Sequence, residues 1–141
     1  SWDHRCTAAG QEVSRVAWIL AYLVTLAVEV PIVLWLMRAA GWVPRTVDGG
    51  LGWPAAVAVA WGLNLTHPVL WWVGPQGLGA VLAAEVIVVA VEGVALGLIA
   101  GRATRDPLGV AVLMGLLIAF AANFASFAVG AGLYGVGWLP A

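Results

Sequence analysis

The chain has 141 residues, of which 63% are hydrophobic and only 9% charged, against about 25% charged in an ordinary soluble domain. With a formal net charge of -1 and a mean hydropathy of +1.00, this composition excludes a water-soluble globule, a disordered tail and a nucleic-acid-binding module. All six cations are arginine, and the lone cysteine, Cys6, excludes an internal disulfide and a Cys-based zinc site.

Residues 1–15 are polar, with Asp3, Arg5, Glu12 and Arg15, and are expected as a surface tail or interfacial segment. Four apolar runs follow, over 16–37, 55–73, 78–101 and 108–133. Each is long enough to cross a bilayer, which takes about 20 helical residues. Lipid satisfies no free backbone group, so each run is expected to be helical. A β-barrel would need strict apolar–polar alternation, which Val86-Ile87-Val88-Val89-Ala90-Val91 lacks. The fold expected is therefore all-α: a polytopic membrane protein with four transmembrane helices in a bundle. No n-region precedes the first run, so a cleaved signal peptide is not expected there.

The boundaries have chemical causes. Pro54 stands where the second helix should begin, a position at which its missing N–H is harmless. Gly74-Pro75-Gln76-Gly77 predicts a tight turn between the second and third spans, and the 102–107 segment turns the chain into the fourth. The long loop is 39–53. Trp18, Trp35, Trp42, Trp53, Trp71, Trp72 and Trp138 fall near span ends, where an indole meets headgroups; Trp61 lies inside a span. Arg38, Arg45, Arg102 and Arg105 share one side against Arg5 and Arg15 on the other, which predicts cytoplasmic loops and both termini outside. The localisation expected is a bacterial inner membrane.

Three of the seven acids, Glu29, Glu85 and Glu92, lie inside apolar runs with His67, Asn64, Asn123 and Ser126. A carboxylate at bilayer centre costs a few kcal/mol even on lenient scales, so these groups are expected to face inward and meet. Spacing sorts them onto helix faces: Tyr22, Thr25 and Glu29; Asn64 and His67; Glu85 and Glu92, two turns apart; Asn123, Ser126 and Gly130. By rise per residue, Asn64 falls near the midpoint. Glu29 and Glu92 fall about 4 Å to the arginine side, His67 and Asn123 about 4 Å to the other, and Glu85 farther out. The expectation is a polar ladder with its levels in that order. Pro68 and Pro31 cannot donate to the carbonyls of Asn64 and Ala27, which would free those oxygens inside the membrane.

Such a ladder suits a site that binds or conducts a proton or cation. Glu29, His67, Glu85 and Glu92, with amide oxygens, also form a donor set for a divalent metal ion, the one cofactor considered. An alternative is a non-catalytic accessory subunit packed within a larger membrane complex. A third reading, an intramembrane hydrolase built on Ser126 and His67, lacks a G-x-S-x-G or H-E-x-x-H motif, so no catalytic residue is assigned and an enzyme is not expected. Gly93, Gly97 and Gly101, four residues apart, predict a close helix contact, intramolecular in the first instance or with a neighbouring subunit. The partners expected are the lipid bilayer and either further copies of the chain or other membrane subunits, with no nucleic acid.

Glu29-Val30-Pro31, Asn64-Leu65-Thr66-His67-Pro68, Glu85 through Glu92, and Asn123-Phe124-Ala125-Ser126-Phe127 together resemble the motifs of small, uncharacterised bacterial four-helix integral membrane proteins. The resemblance covers most of 16–133. It implies the four-helix fold and brings no activity with it.

Overall fold

The computed structural model describes residues 3–43, 50–68 and 78–136, with side chains from residue 19 onward apart from those of 78, 81 and 134. Every regular element among them is helical: α1 (Asp3–Ala39), α2 (Trp53–Leu63), a 3-10 turn (Asn64–Thr66), α3 (Leu78–Thr104) and α4 (Leu108–Gly135). The stretches Ile19–Ala39, Leu82–Thr104 and Leu108–Leu133 are each long and apolar enough to cross a membrane. Their outward faces carry Leu23, Val86, Ile87, Leu113, Phe120 and Phe124, each about half exposed or more. Large apolar side chains in that number suit hydrocarbon as their solvent.

The second run differs from its expectation. Helix α2 has 11 residues and is followed by the 3-10 turn. Within 55–73, residues 69–73 lie outside the described part, as do the 74–77 turn and the indoles of Trp71, Trp72 and Trp138. Among the described residues three helices are thus long and apolar enough to cross a membrane. Helix α1, by contrast, exceeds its expected span. It starts at Asp3 and takes in most of the segment expected as a tail. At about 1.5 Å per residue its 37 residues measure about 55 Å, well beyond a hydrocarbon core of about 30 Å, so its first turns extend past the bilayer interior.

The helices alternate in direction. Glu29 of α1 meets Ser126 of α4, while Leu36 and Ala39 line a crevice with Ile118 and Met114, so these two run antiparallel. Helix α4 is likewise antiparallel to α3: Gly93 lies against Leu116, and Gly97 against Val112. The expected glycine stripe therefore finds its partner inside the chain. A Cβ on Gly97 would fall 2.5 Å from the Cα of Val112, and one on Gly93 would fall 2.6 Å from the Cα of Leu116. Gly115 supplies the reciprocal gap on α4, against Gly93 and Gly97.

The arginine end is tied by short-range devices. Gly41, at φ +79°, ends α1: its N–H bonds the Arg38 carbonyl and the Trp42 N–H bonds that of Met37. That pair is a Schellman closure, with Trp42 packed beside Met37. The buried Trp42 indole then donates to Asp106 Oδ2 at 3.1 Å, clasping the end of α1 to the α3–α4 turn. Arg38 sits over the Trp53 ring at 5.6 Å and joins α1 to the start of α2. Trp35, Trp53 and Trp61 are exposed, whereas Trp42 is 2% exposed and belongs to the core rather than to a headgroup belt. That core, with Val33, Met37, Ala60, Leu96, Ala100 and Ile118, fills the bundle at the arginine end.

The glycine contact makes a stability prediction. Gly97→Leu forces α3 from α4 and is expected to destabilise the protein by about 1–3 kcal/mol, the usual cost of overpacking. Gly130→Ala, whose Cβ would meet nothing within 4 Å, should change stability by about 1 kcal/mol or less. Unfolding in mixed micelles checks both; equal effects would mean the close contact is not formed.

Candidate functional site

The site begins with a local conflict in the backbone. Pro68 offers no N–H to the Asn64 carbonyl, so an α-helical bond cannot close there. The chain tightens instead, and the His67 N–H bonds the Asn64 carbonyl three residues back. The carbonyl expected to be free is thus satisfied. The Asn64 side chain also folds back, donating from Nδ2 to the Ala60 carbonyl at 3.0 Å. Pro31 has no comparable effect on the site: it and Ala27 are exposed, on the face away from Glu29.

The 3-10 turn delivers two side chains to one place. His67 lies between the acids of two other helices, with Nε2 3.4 Å from Glu29 Oε1 and Nδ1 3.9 Å from Glu92 Oε1. Thr66 donates its hydroxyl to Glu92 Oε1. From α4, Asn123 Nδ2 donates to Glu92 Oε2 at 2.9 Å, and the Ser126 hydroxyl donates to Glu29 Oε1. Glu29 is 1% exposed and Glu92 3%; His67, Asn123 and Ser126 are also buried. Helices α1, α3 and α4 and the 3-10 turn with its following His67 each contribute a polar group.

This is one cluster rather than a ladder. The backbone positions of Glu29 and Glu92 were expected about 8 Å below those of His67 and Asn123. Helical side chains lean toward their own N-terminus, however. Helices α1 and α3 run toward the arginine end, so Glu29 and Glu92 lean away from it. The 3-10 turn and α4 run the other way, so His67 and Asn123 lean toward it. The two levels therefore close on each other.

The remaining expected members are Glu85, Tyr22 and Thr25. Glu85 is half-buried two turns along α3, and no hydrogen bond or ion pair joins it to the cluster. Tyr22 and Thr25 are half-buried on the Glu29 side of α1. Thr66 was not singled out as a site residue, because in a continuous α-helix it points about 100° from His67. It reaches Glu92 from the 3-10 turn beside His67. The available signal was Pro68, two residues on.

Among the described residues three buried side-chain atoms lack a hydrogen-bond partner: Asn64 Oδ1, Asn123 Oδ1 and His67 Nδ1. They sit beside or within the acid–imidazole group, where an unmatched polar atom costs about 1–3 kcal/mol. Two acceptors and an imidazole nitrogen with spare capacity suit an added proton or a small hydrogen-bonding occupant. The donor arrangement suits a metal less well. His67 aims its two nitrogens at different carboxyls, so the ligands share no common centre. Among the described residues no group of three or more His, Cys, Asp or Glu side chains is disposed to hold a metal ion.

No family model, curated protein or solved structure matches the chain. The chemistry of the site is therefore argued from its own residues.

The Asn123–Glu92 bond can be measured directly. A double-mutant cycle with Asn123→Ala and Glu92→Ala is expected to give a coupling of about 0.6–1.7 kcal/mol, the range for interhelical bonds in membranes. Unfolding of the four proteins in micelles reads it, and a coupling indistinguishable from zero would mean that α3 and α4 do not meet there.

Proposed function

We propose that this protein is an integral membrane protein with four transmembrane helices, 55–73 forming the second, and that its Glu29–His67–Glu92 cluster takes up a proton or small cation inside the bilayer. The observation that supports this reading most is the position of His67 between two carboxyls from separate helices, all three buried in an apolar bundle. Two acids and an imidazole in a dry site present more proton-accepting atoms than bundle packing needs. The packed core on the arginine side argues for loading from the opposite side, where Glu85 stands half-buried. In the proposed topology the arginine-bearing turns face the cytoplasm of a bacterial inner membrane.

A second reading has its own support. Both carboxyls accept bonds from neighbouring helices, so the cluster would also serve as a polar lock in an accessory subunit of a larger complex. A typical bond of this kind contributes about 0.6 kcal/mol, which offsets only part of the cost of burying two acids.

Proton counting separates the two. Purified full-length protein in detergent, taken between pH 5 and pH 9, is expected to bind about one proton per chain more than the Glu29→Gln/Glu92→Gln double variant, since Gln cannot titrate. Superposable titrations would reject the uptake reading and leave the lock. Repeating the titration with added sodium or magnesium identifies the occupant: displacement of the extra proton by either ion marks a cation.

A further inference from the structure

The two acid sites are built alike. Glu29 Oε1 faces both the Ser126 hydroxyl and His67 Nε2; Glu92 Oε1 faces both the Thr66 hydroxyl and His67 Nδ1. Each hydroxyl also lies against a backbone carbonyl three residues back: Ser126 against Asn123 at 3.0 Å, Thr66 against Leu63 at 2.8 Å. A hydroxyl has one hydrogen, so it can donate to the carboxyl or to the carbonyl but not to both. If it donates to the carbonyl, its contact with the carboxyl needs a hydrogen from the acid. The hydrogen count at each site therefore has two solutions, one for a charged carboxylate and one for a neutral acid. Thr104 makes a similar pair of contacts with Ala100 and Asp106, but at the surface, where water supplies any missing hydrogen.

Resting on the uptake reading above, we infer that the occupant is a proton and that His67 relays it between Glu29 and Glu92. The step starts with Glu29 as the acid, His67 neutral with its hydrogen on Nδ1, and Glu92 as the carboxylate. The O–H bond of Glu29 breaks as an N–H bond forms at Nε2. The N–H bond at Nδ1 breaks as an O–H bond forms on Glu92. The products are a Glu29 carboxylate, His67 with its hydrogen on Nε2, and Glu92 as the acid. Net charge and proton number are unchanged. Ser126 first turns its hydrogen from the Asn123 carbonyl to Glu29, which releases the Glu29 O–H to point at Nε2; after the transfer Thr66 turns its own from Glu92 to the Leu63 carbonyl, and the new Glu92 O–H turns to the Thr66 oxygen. These rotations thus absorb the change with the backbone fixed. Both imidazole contacts must tighten to reach hydrogen-bond length, Nδ1 by about 1 Å and Nε2 by about 0.5 Å. Glu85, half-buried two turns from Glu92, is the other acid of α3 near this route and the nearest group from which a proton could arrive.

The carbonyls and hydroxyls set the choice against a metal cation. They are already engaged with one another, whereas a cation would need several oxygens freed toward one point. A proton needs only the lone pairs that Glu29, His67 and Glu92 turn toward each other.

Nitrogen NMR of the imidazole tests the relay. Full-length protein labelled at histidine, with His4→Asn removing the second signal, is placed in lipid. His67 is expected to show both neutral tautomers in exchange. Glu29→Gln should collapse the spectrum to the Nδ1–H form donating to Glu92, and Glu92→Gln to the Nε2–H form donating to Glu29. Sodium or magnesium should leave each spectrum unchanged. A single fixed tautomer in the unsubstituted Glu29/Glu92 protein would overturn the relay, and so would a spectrum altered by either ion. Neither outcome needs the acid variants to fold. A chain that takes up the extra proton in the titration yet keeps one His67 tautomer has lost the relay alone. A chain with no extra proton has lost the uptake reading itself.

Discussion

The structure turns on one imidazole held between two buried acids. A carboxyl taken into hydrocarbon loses its hydration and must recover the cost from neighbours. Glu29 and Glu92 do so through the same turn, His67 and Thr66, and through the same helix, Asn123 and Ser126. Remove the turn and each acid would still have one partner on α4, but the two would no longer be joined. The turn in turn depends on Pro68, whose missing donor shifts the bonding from four residues to three. A single proline thus aims two side chains from consecutive positions at one carboxyl.

Distances among the helices are set elsewhere. Gly93, Gly97 and Gly115 let the backbones of α3 and α4 approach at van der Waals contact, so Asn123 can reach across to Glu92 with a short side chain. At the arginine end the Gly41 closure and the bond from Trp42 to Asp106 hold α1 against the α3–α4 turn. These two devices lie about 10–17 Å of helix away from each other along the bundle, at 1.5 Å per residue. The apolar core of Met37, Leu96, Ala100 and Ile118 packs alongside both. The acids lie at the inner boundary of that core. Beyond them, α1 and α3 present Tyr22, Thr25 and Glu85, half-buried rather than packed away.

A dry wall on one side and polar side chains on the other make the cluster asymmetric. Electrostatic interactions strengthen where water is excluded, so a proton gained or lost among Glu29, His67 and Glu92 changes the forces on three helices at once. The Thr66 and Ser126 hydroxyls moderate that change, because each can turn its hydrogen toward either of two oxygens. Such a site tolerates either proton count without a gap opening in the bundle.

The amino-acid sequence by itself determined the helical class, three runs long and apolar enough to cross a membrane, and two of the acids that face inward, Glu29 and Glu92. Apolar run length and the cost of charge in lipid are local properties, legible residue by residue. The glycine stripe was legible too, since its four-residue period names a face, and the packed structure adds which helix fills it. What only the tertiary structure decided is where the polar groups meet. The rise per residue placed Glu29 and His67 on separate levels, because it counts backbone height and ignores the lean of side chains on antiparallel helices. Thr66 was invisible for a related reason: its direction is set by the 3-10 turn, and that turn arises from a proline two positions later. Asp106, an ordinary loop acid in sequence, is chosen as the partner of Trp42 by a contact spanning 64 residues.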